Sequence, residues 1–486
     1  MNNRRFTTAL MAIIAAAVQA QIAQQSPRLV VNICIDQLSS EYMEQFSQYF
    51  GTSGFKELTA NGLVYENAQY SFSPVDRSSA IASLMTGTTP YFNGIIGNGW
   101  LNKQTLRPAS CVDDTGYPGI FTTEYCSPRH ILTSTITDEL KVATQGKGIV
   151  YGIAKQQDAA ILSAGHAADG ALWKDNYTGS WCTSTYYMKS APSWLSIFNQ
   201  HYVTGKKKTE FEMLTELTNL AVMCIEQTGM GHDNLADILN ITLDAGVKME
   251  TPKDKKQKTD WTTTATQTYI NLDRQLADLV ATIQSKVGKD NVLFFITGTG
   301  YSELPVEEYS QYRIPTGTFY INRTANLLNM YLGALYGSDN YVRGCCRNYI
   351  YLNVELIEKK RLKFSDILQI SQSFLLQCEG IVNVHTSESL LTASNPRTEP
   401  LRNAFNSTVG GHLLIEVAPG WRLLNENTNE VMPVHARTTP FPVIVYGCGI
   451  RPQRVTTPVD VDRIAPTISK AIKIRAPNAC SEAPLF

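Results

Sequence analysis

The 486-residue chain has no surplus of either charge, with 42 basic and 43 acidic residues. A balance this even excludes the basic field that nucleic acid or an acidic membrane surface requires. There is no Cys-x-x-Cys pair among the ten cysteines, so a cysteine zinc site is excluded. Internal repeats and low-complexity tracts are missing too. The longest N-terminal apolar run, Phe6 to Val18, is too short for a membrane span. Arg4 and Arg5 precede that run and Val18-Gln19-Ala20 follows it, which is the pattern of a secretory signal peptide. We expect residues 1–20 to be removed after Ala20. The mature chain is then periplasmic or extracellular. No Cys stands directly after the apolar run, so we expect no lipoprotein anchor.

What is present is ample apolar content, 43% of residues, arranged as alternating strand-like and helix-like segments. Such alternation predicts an α/β fold with a largely parallel central sheet and helices on both faces. Expected strands are Leu29–Ile35, Gly148–Ala154, Leu235–Thr242, Val292–Thr297, Leu413–Val417 and Phe441–Tyr446. Expected helices are Ser79–Met85, Ile131–Ala143, Thr263–Val287 and Ile464–Ile472. The third helix has the clearest pattern, with Tyr269, Leu272, Leu276, Leu279, Val280 and Ile283 at spacings of three and four. Residues 21–486 form one such domain. Within it, 100–130 reads as a turn-rich cap loop and 306–405 as an inserted subdomain. The charge run Lys253–Lys258 reads as a solvated loop. Cys34 reads as a small buried hydrophobe in the first strand. Cys111 and Cys126, in the cap loop, are expected to bridge in an oxidising compartment.

Several motifs carry chemistry. The strand Leu29–Ile35 ends in Asp36. Ser71-Phe72-Ser73-Pro74, Met85-Thr86-Gly87 and Gly94-Ile95-Ile96-Gly97-Asn98-Gly99-Trp100 follow, and later Gly300-Tyr301-Ser302-Glu303-Leu304-Pro305. Together these resemble the alkaline phosphatase superfamily, in particular the alkaline phosphatases of the type I phosphodiesterase/nucleotide pyrophosphatase branch. The likeness runs from Leu29 to Thr467 and includes Gly410–Trp421. It implies two zinc ions about 4 Å apart, a hydroxyl nucleophile and donors for the phosphoryl oxygens.

The positions that should supply this chemistry mostly carry other residues. Asp36 falls on the first metal-ligand position, or is only a helix-capping or loop carboxylate. The nucleophile position falls on Arg77, which pairs with a phosphate or with Asp36. Ser78 and Ser79 are adjacent hydroxyls whose simpler role is N-capping with Asp76. Asn98 matches a phosphoryl-oxygen donor, or is a turn residue between glycines. Where the resemblance implies a Lys and an Arg two apart, Gln156 and Asp158 stand, and Asp158 is expected to repel phosphate. His166 reads as structural. The Asp-x-x-x-His block retains Asp244 at most, with Val247 or Lys248 at the His position. An Asp-His pair is replaced by Gly298-Thr299. The last His is missing from Val431–Pro433, with His435 displaced.

Two functions compete. In the first, the chain is an exported pseudoenzyme that needs no cofactor. It acts as a binding or assembly component, taking a protein partner or a small anionic ligand at the vestigial pocket. In the second, it is a divergent hydrolase of phosphate or sulfate esters. That hydrolase would hold zinc at Asp36 and Asp244, or use Ser78 as nucleophile.

Overall fold

The computed structural model of the protein describes residues 26–203, 208–247, 261–302, 313–392, 394–427, 430–433 and 437–486. The side chains of 430–437 lie outside that description, as do the signal segment, Lys248, the 253–258 charge run, residues 303–305 and His435.

Five parallel strands make the centre of the main sheet. They are β1 (Leu29–Asp36), β3 (Val150–Ala154), β4 (Gly170–Lys174), β6 (Asp237–Asp244) and β7 (Val292–Gly298). Antiparallel pairings extend it: β12 (Phe441–Gly447) and then β2 (Leu63–Gln69), which regains the direction of the centre, on one side, and β5 (Trp181–Ser184) on the other. The spatial order is β2-β12-β7-β1-β6-β3-β4-β5. Every residue of β1 and β7 is buried, as expected of a parallel strand covered on both faces.

Side-chain alternation along β1 sorts its residues between two cores. Val30 and Cys34 pack beneath α1 (Arg77–Thr86) and α2 (Gln157–Ala164). Leu29, Val31, Ile33 and Ile35 pack beneath α3 (Glu210–Thr228) and α4 (Trp261–Val287). The apolar stripe of α4 is buried as its period of three and four demands, with Tyr269, Leu276 and Ile283 fully inaccessible. No described helix is long and apolar enough to cross a membrane.

The cap region is built on hairpins. Gly99–Leu101 pairs with Pro108–Ser110, and Asp113–Ile120 reaches the edge of the main sheet through Gly119↔Ser184. A third core spans Phe319 to Leu423. It joins α5 (Ile321–Tyr336) and α6 (Phe364–Leu375) to a separate sheet of β8 (Val342–Cys346), β9 (Tyr349–Leu352), β10 (Ile381–Thr386) and β11 (Leu413–Val417). Leu413–Val417 is thus a strand as expected, but of this smaller sheet, which continues past residue 405. The expected helix over Ile131–Ala143 begins only at Ile136, because Thr135 caps it: its hydroxyl accepts the Asp138 N–H.

The expected Cys111–Cys126 disulfide is not formed; both are buried free thiols. Cys111 faces Ser78, whereas Cys126 faces Ser184 and Gln157. Each behaves as a small core residue with its thiol pushed up by burial.

Candidate functional site

The parity that buries Cys34 under α1 continues to the strand end, so Asp36 points to the same side. Parallel register sets Asp244 beside it (Asp36↔Asp244), and Cys34↔Thr297 sets Thr299 beside it on the other flank. Three adjacent strand ends therefore bring Asp244, Asp36 and Thr299 into one row. Thr299 Oγ1 donates to Asp36 Oδ1 at 2.8 Å and accepts the Gln37 N–H at 2.8 Å. The Tyr301 hydroxyl also bonds to Asp36. Gln37 holds a positive φ of 62°, a cost placed directly at the site.

Helix α1 begins above this row. Asp76 is its N-cap, accepting the Ser79 N–H at 2.9 Å in a reciprocal capping box. The first helical residue, Arg77, is thereby aimed at the strand ends. Its guanidinium makes a forked contact with Asp158 (Nε 3.2 Å, NH2 3.0 and 3.1 Å), and its NH1 lies 3.6 Å from Asp36 Oδ2. Ser78 Oγ donates to the same Asp158 carboxylate at 2.5 Å. A planar guanidinium that bridges two carboxylates is a strong, directional arrangement.

Burial pushes the Asp36 carboxyl up to about 7; Arg77 opposes the shift and Asp244 adds to it. Burial alone would lower the Arg77 pKa, but Asp158 and Asp36 outweigh it and hold the guanidinium firmly charged. Asp244 Oδ1 accepts the Gly246 N–H at 2.8 Å.

Asn98 is reached from the subdomain. Arg347, in the tight β8–β9 turn with φ 54°, donates to both Asp76 Oδ2 and Asn98 Oδ1. The Asn98 N–H bonds to Asp76 Oδ2 at 2.9 Å. For Asp76 the burial penalty is overcome by Arg347 and the Ser79 backbone, and its carboxyl sits below the usual range.

The structure thus brings together Asp36, Asp244, Arg77, Ser78, Asp158 and Asn98. Gln156, at the N-cap position of α2 but with no side-chain capping bond, lines a cavity of about 280 Å³ on the α3/α4 side together with Lys155, Leu214, Leu217 and Asp244, so it meets the row of strand ends only through Asp244. Three expectations change. Asp158 does not present a repelling charge, because Arg77 neutralises it. Ser78 is not a capping residue; Ser79 performs that role with Asp76. Asn98 is more than a turn residue, being an acceptor for Arg347. Sequence reasoning missed Arg347 altogether. It lies 271 positions from Asp76, and no local pattern signals a contact over that range. His166 is structural as expected, held by Asp138 (Nδ1, 2.9 Å) and the Ile131 carbonyl (Nε2, 3.1 Å).

Among the described residues the donor chemistry does not fit a pair of zinc ions. Asp36, Asp244 and Asp158 offer oxygens, but a guanidinium bridges Asp36 and Asp158. No group of three His, Cys, Asp or Glu side chains that could hold a metal occurs among the described residues.

The chain is similar to several known proteins. The family model for type I phosphodiesterase / nucleotide pyrophosphatase matches residues 30–437. A protein of Myroides odoratus described as a calcium-transporting ATPase is 26% identical, with 97% of this chain and 96% of that protein covered. The alkaline phosphatase PafA of Elizabethkingia meningoseptica is 25% identical, with 94% of each covered. The crystal structure of wild-type alkaline phosphatase PafA superposes with a TM-score of 0.83 at 24% identity, over 95% of this chain and 98% of that one.

Proposed function

The chain belongs to the type I phosphodiesterase/nucleotide pyrophosphatase family, and we propose that within it this is an exported pseudoenzyme, a binding or assembly component that has given up two-metal phosphoryl transfer. The observation that carries this reading is Arg77. Its guanidinium bridges Asp158 and Asp36, placing a fixed cation where the resemblance implies metal and nucleophile. A cation so placed repels a metal ion directly. Gly298 and Thr299 replace an Asp-His pair, and Thr299 serves instead as a hydrogen-bond donor to Asp36.

The charge count favours a protein partner over a small anion at this pocket. Arg77 and Arg347 are both committed to carboxylates, Arg77 to Asp158 and Asp36 and Arg347 to Asp76, and Asp244 adds a fourth carboxylate beside Asp36. An incoming phosphate would have to displace those pairs.

A residual hydrolase has one observation in its favour. A carboxyl at about 7, as Asp36 has, lies in the range of a general base. Its nucleophile would be Ser78, which is 0% exposed and already donates to Asp158. A substrate phosphorus has no path to that oxygen, so we give this reading second place.

The test is metal analysis of the purified protein together with assays on aryl phosphate monoesters, diesters and sulfate esters. We expect no stoichiometric zinc and no hydrolysis above background, and Arg77→Thr alone should not restore it. Stoichiometric bound metal with turnover that disappears in Asp36→Ala would overturn the proposal.

A further inference from the structure

A second cavity, of about 160 Å³, opens where the cap hairpin meets the subdomain. It lies at the opposite end of the β8–β9 hairpin from Arg347, roughly 13 Å away along the strand. Leu101, Leu106, Tyr351 and Val354 supply its apolar wall. Lys103 and His412, which lie close enough for Lys103 to act on the imidazole, share its polar lining with Arg343 and Glu355.

The charges do not cancel. Arg343 NH2 pairs with Glu355 at 2.6 Å, and its Nε donates to Asn353 Oδ1 at 3.1 Å. Lys103 has no carboxylate partner among the described residues; its Nζ donates to the Ser407 carbonyl at 2.8 Å, one bond of the three an ammonium can make. His412 Nδ1 accepts the Leu352 N–H at 2.8 Å. The neutral ring therefore carries its proton on Nε2, as a donor. Burial, then the neighbouring Lys103, pushes the imidazolium down to about 4, so His412 is neutral at physiological pH. Lys103 is itself lowered by burial. The lining thus holds one uncompensated positive charge, a neutral N–H donor and an apolar wall.

We propose that this cavity is a binding site for a small monocarboxylate with an apolar body, its carboxylate on Lys103 and His412 and its body against Leu101, Leu106 and Val354. One uncompensated charge matches a monoanion better than a phosphate dianion. A cavity near 150 Å³ holds a body about the size of benzene. The site is separate from the Arg77 cluster, and the inference stands whether or not that cluster is catalytically silent.

Benzoate is a suitable probe, followed by calorimetry and by the NMR titration of the His412 ring in the full-length protein. Benzoate should bind at one equivalent and raise the His412 pKa by a unit or more, since a bound carboxylate favours the imidazolium. Lys103→Gln should weaken binding at least tenfold, and Lys103→Arg should largely retain it. In the ligand-free protein, Lys103→Gln should itself raise the His412 pKa part of the way toward the ordinary imidazole value, which reports the juxtaposition independently of any ligand, and an unchanged circular-dichroism spectrum and urea-unfolding midpoint show that the variant is folded. Benzyl alcohol, which lacks the charge, should bind far more weakly. The proposal is overturned if benzoate causes no heat and no His412 shift, if Lys103→Gln binds as well as wild type, or if benzyl alcohol or inorganic phosphate matches benzoate.

Discussion

Replacing Arg77 by Met removes the cation that two buried carboxylates share while keeping most of the side-chain volume. The side chains of Asp158 and Asp36 are 11% and 3% exposed, and that of Arg77 is 23% exposed. Leaving a buried charge without its partner costs about 3–5 kcal/mol. Partial solvation of Arg77 argues for the lower end, so we expect a loss of about 3 kcal/mol at pH 8. The loss must depend on pH, and its sign follows from Asp36. That carboxyl is raised to about 7 even with Arg77 present, because burial outweighs the guanidinium. A group whose folded pKa is raised contributes stability below its unfolded value, and that contribution is lost as pH rises through the folded value. Without Arg77 the Asp36 pKa rises further, so the variant suffers most at pH 8. At pH 5.5 Asp36 is largely protonated in both proteins, and the difference should shrink. Urea-unfolding midpoints at the two pH values measure this. The double variant Arg77→Met/Asp158→Asn should cost less than the two single changes added, with a coupling of about 2 kcal/mol. A loss in Arg77→Met that is equal at pH 5.5 and pH 8, or purely additive double-variant energies, would refute the ion-pair account.

Asp76→Ala removes both the cap of α1 and the partner of Arg347. It should destabilise by about 2–3 kcal/mol, against roughly 1 kcal/mol for a cap alone, as read from unfolding midpoints beside Ser79→Ala. His166 is raised by its bonds to Asp138, which overcome the opposing burial. Its stabilisation is present below about 6.5 and fades as pH rises through the raised folded value. His166→Gln should therefore cost more stability at pH 6 than at pH 9, and a flat difference would contradict the assignment. Titration with a thiol reagent in denaturant should find all ten cysteines reactive without prior reduction; a count of eight would point to the bridge between Cys111 and Cys126 after all.

Much of the fold was legible because its signals are local. Leu29–Ile35, apolar but for Asn32, and Val292–Ile296 are runs of the kind that parallel strands buried on both faces need. The three-and-four spacing in Thr263–Val287 marks one buried helical face, and the helix there spans Trp261–Val287. Leu413–Val417 shows the limit of that logic. Its composition reads as a strand, but which sheet receives it depends on packing with Tyr349–Leu352 and Ile381–Thr386.

For the site, the sequence by itself determined which chemical groups are available: Arg77, Asp158 and Thr299 stand where the resemblance implies a nucleophile, a cation and an imidazole. What those groups do to one another was decided only by the tertiary structure. Strand parity and parallel register carry Asp36, Asp244 and Thr299 to one row, and the cap of α1 lowers Arg77 onto it. The closing of β8 and β9 then delivers Arg347 to Asp76 and Asn98. The physical reason is that a charge's effect depends on distance and burial, neither of which is written along the chain. In sequence Asp158 is a repelling carboxylate; at 3.0 Å from a guanidinium it is half of an ion pair.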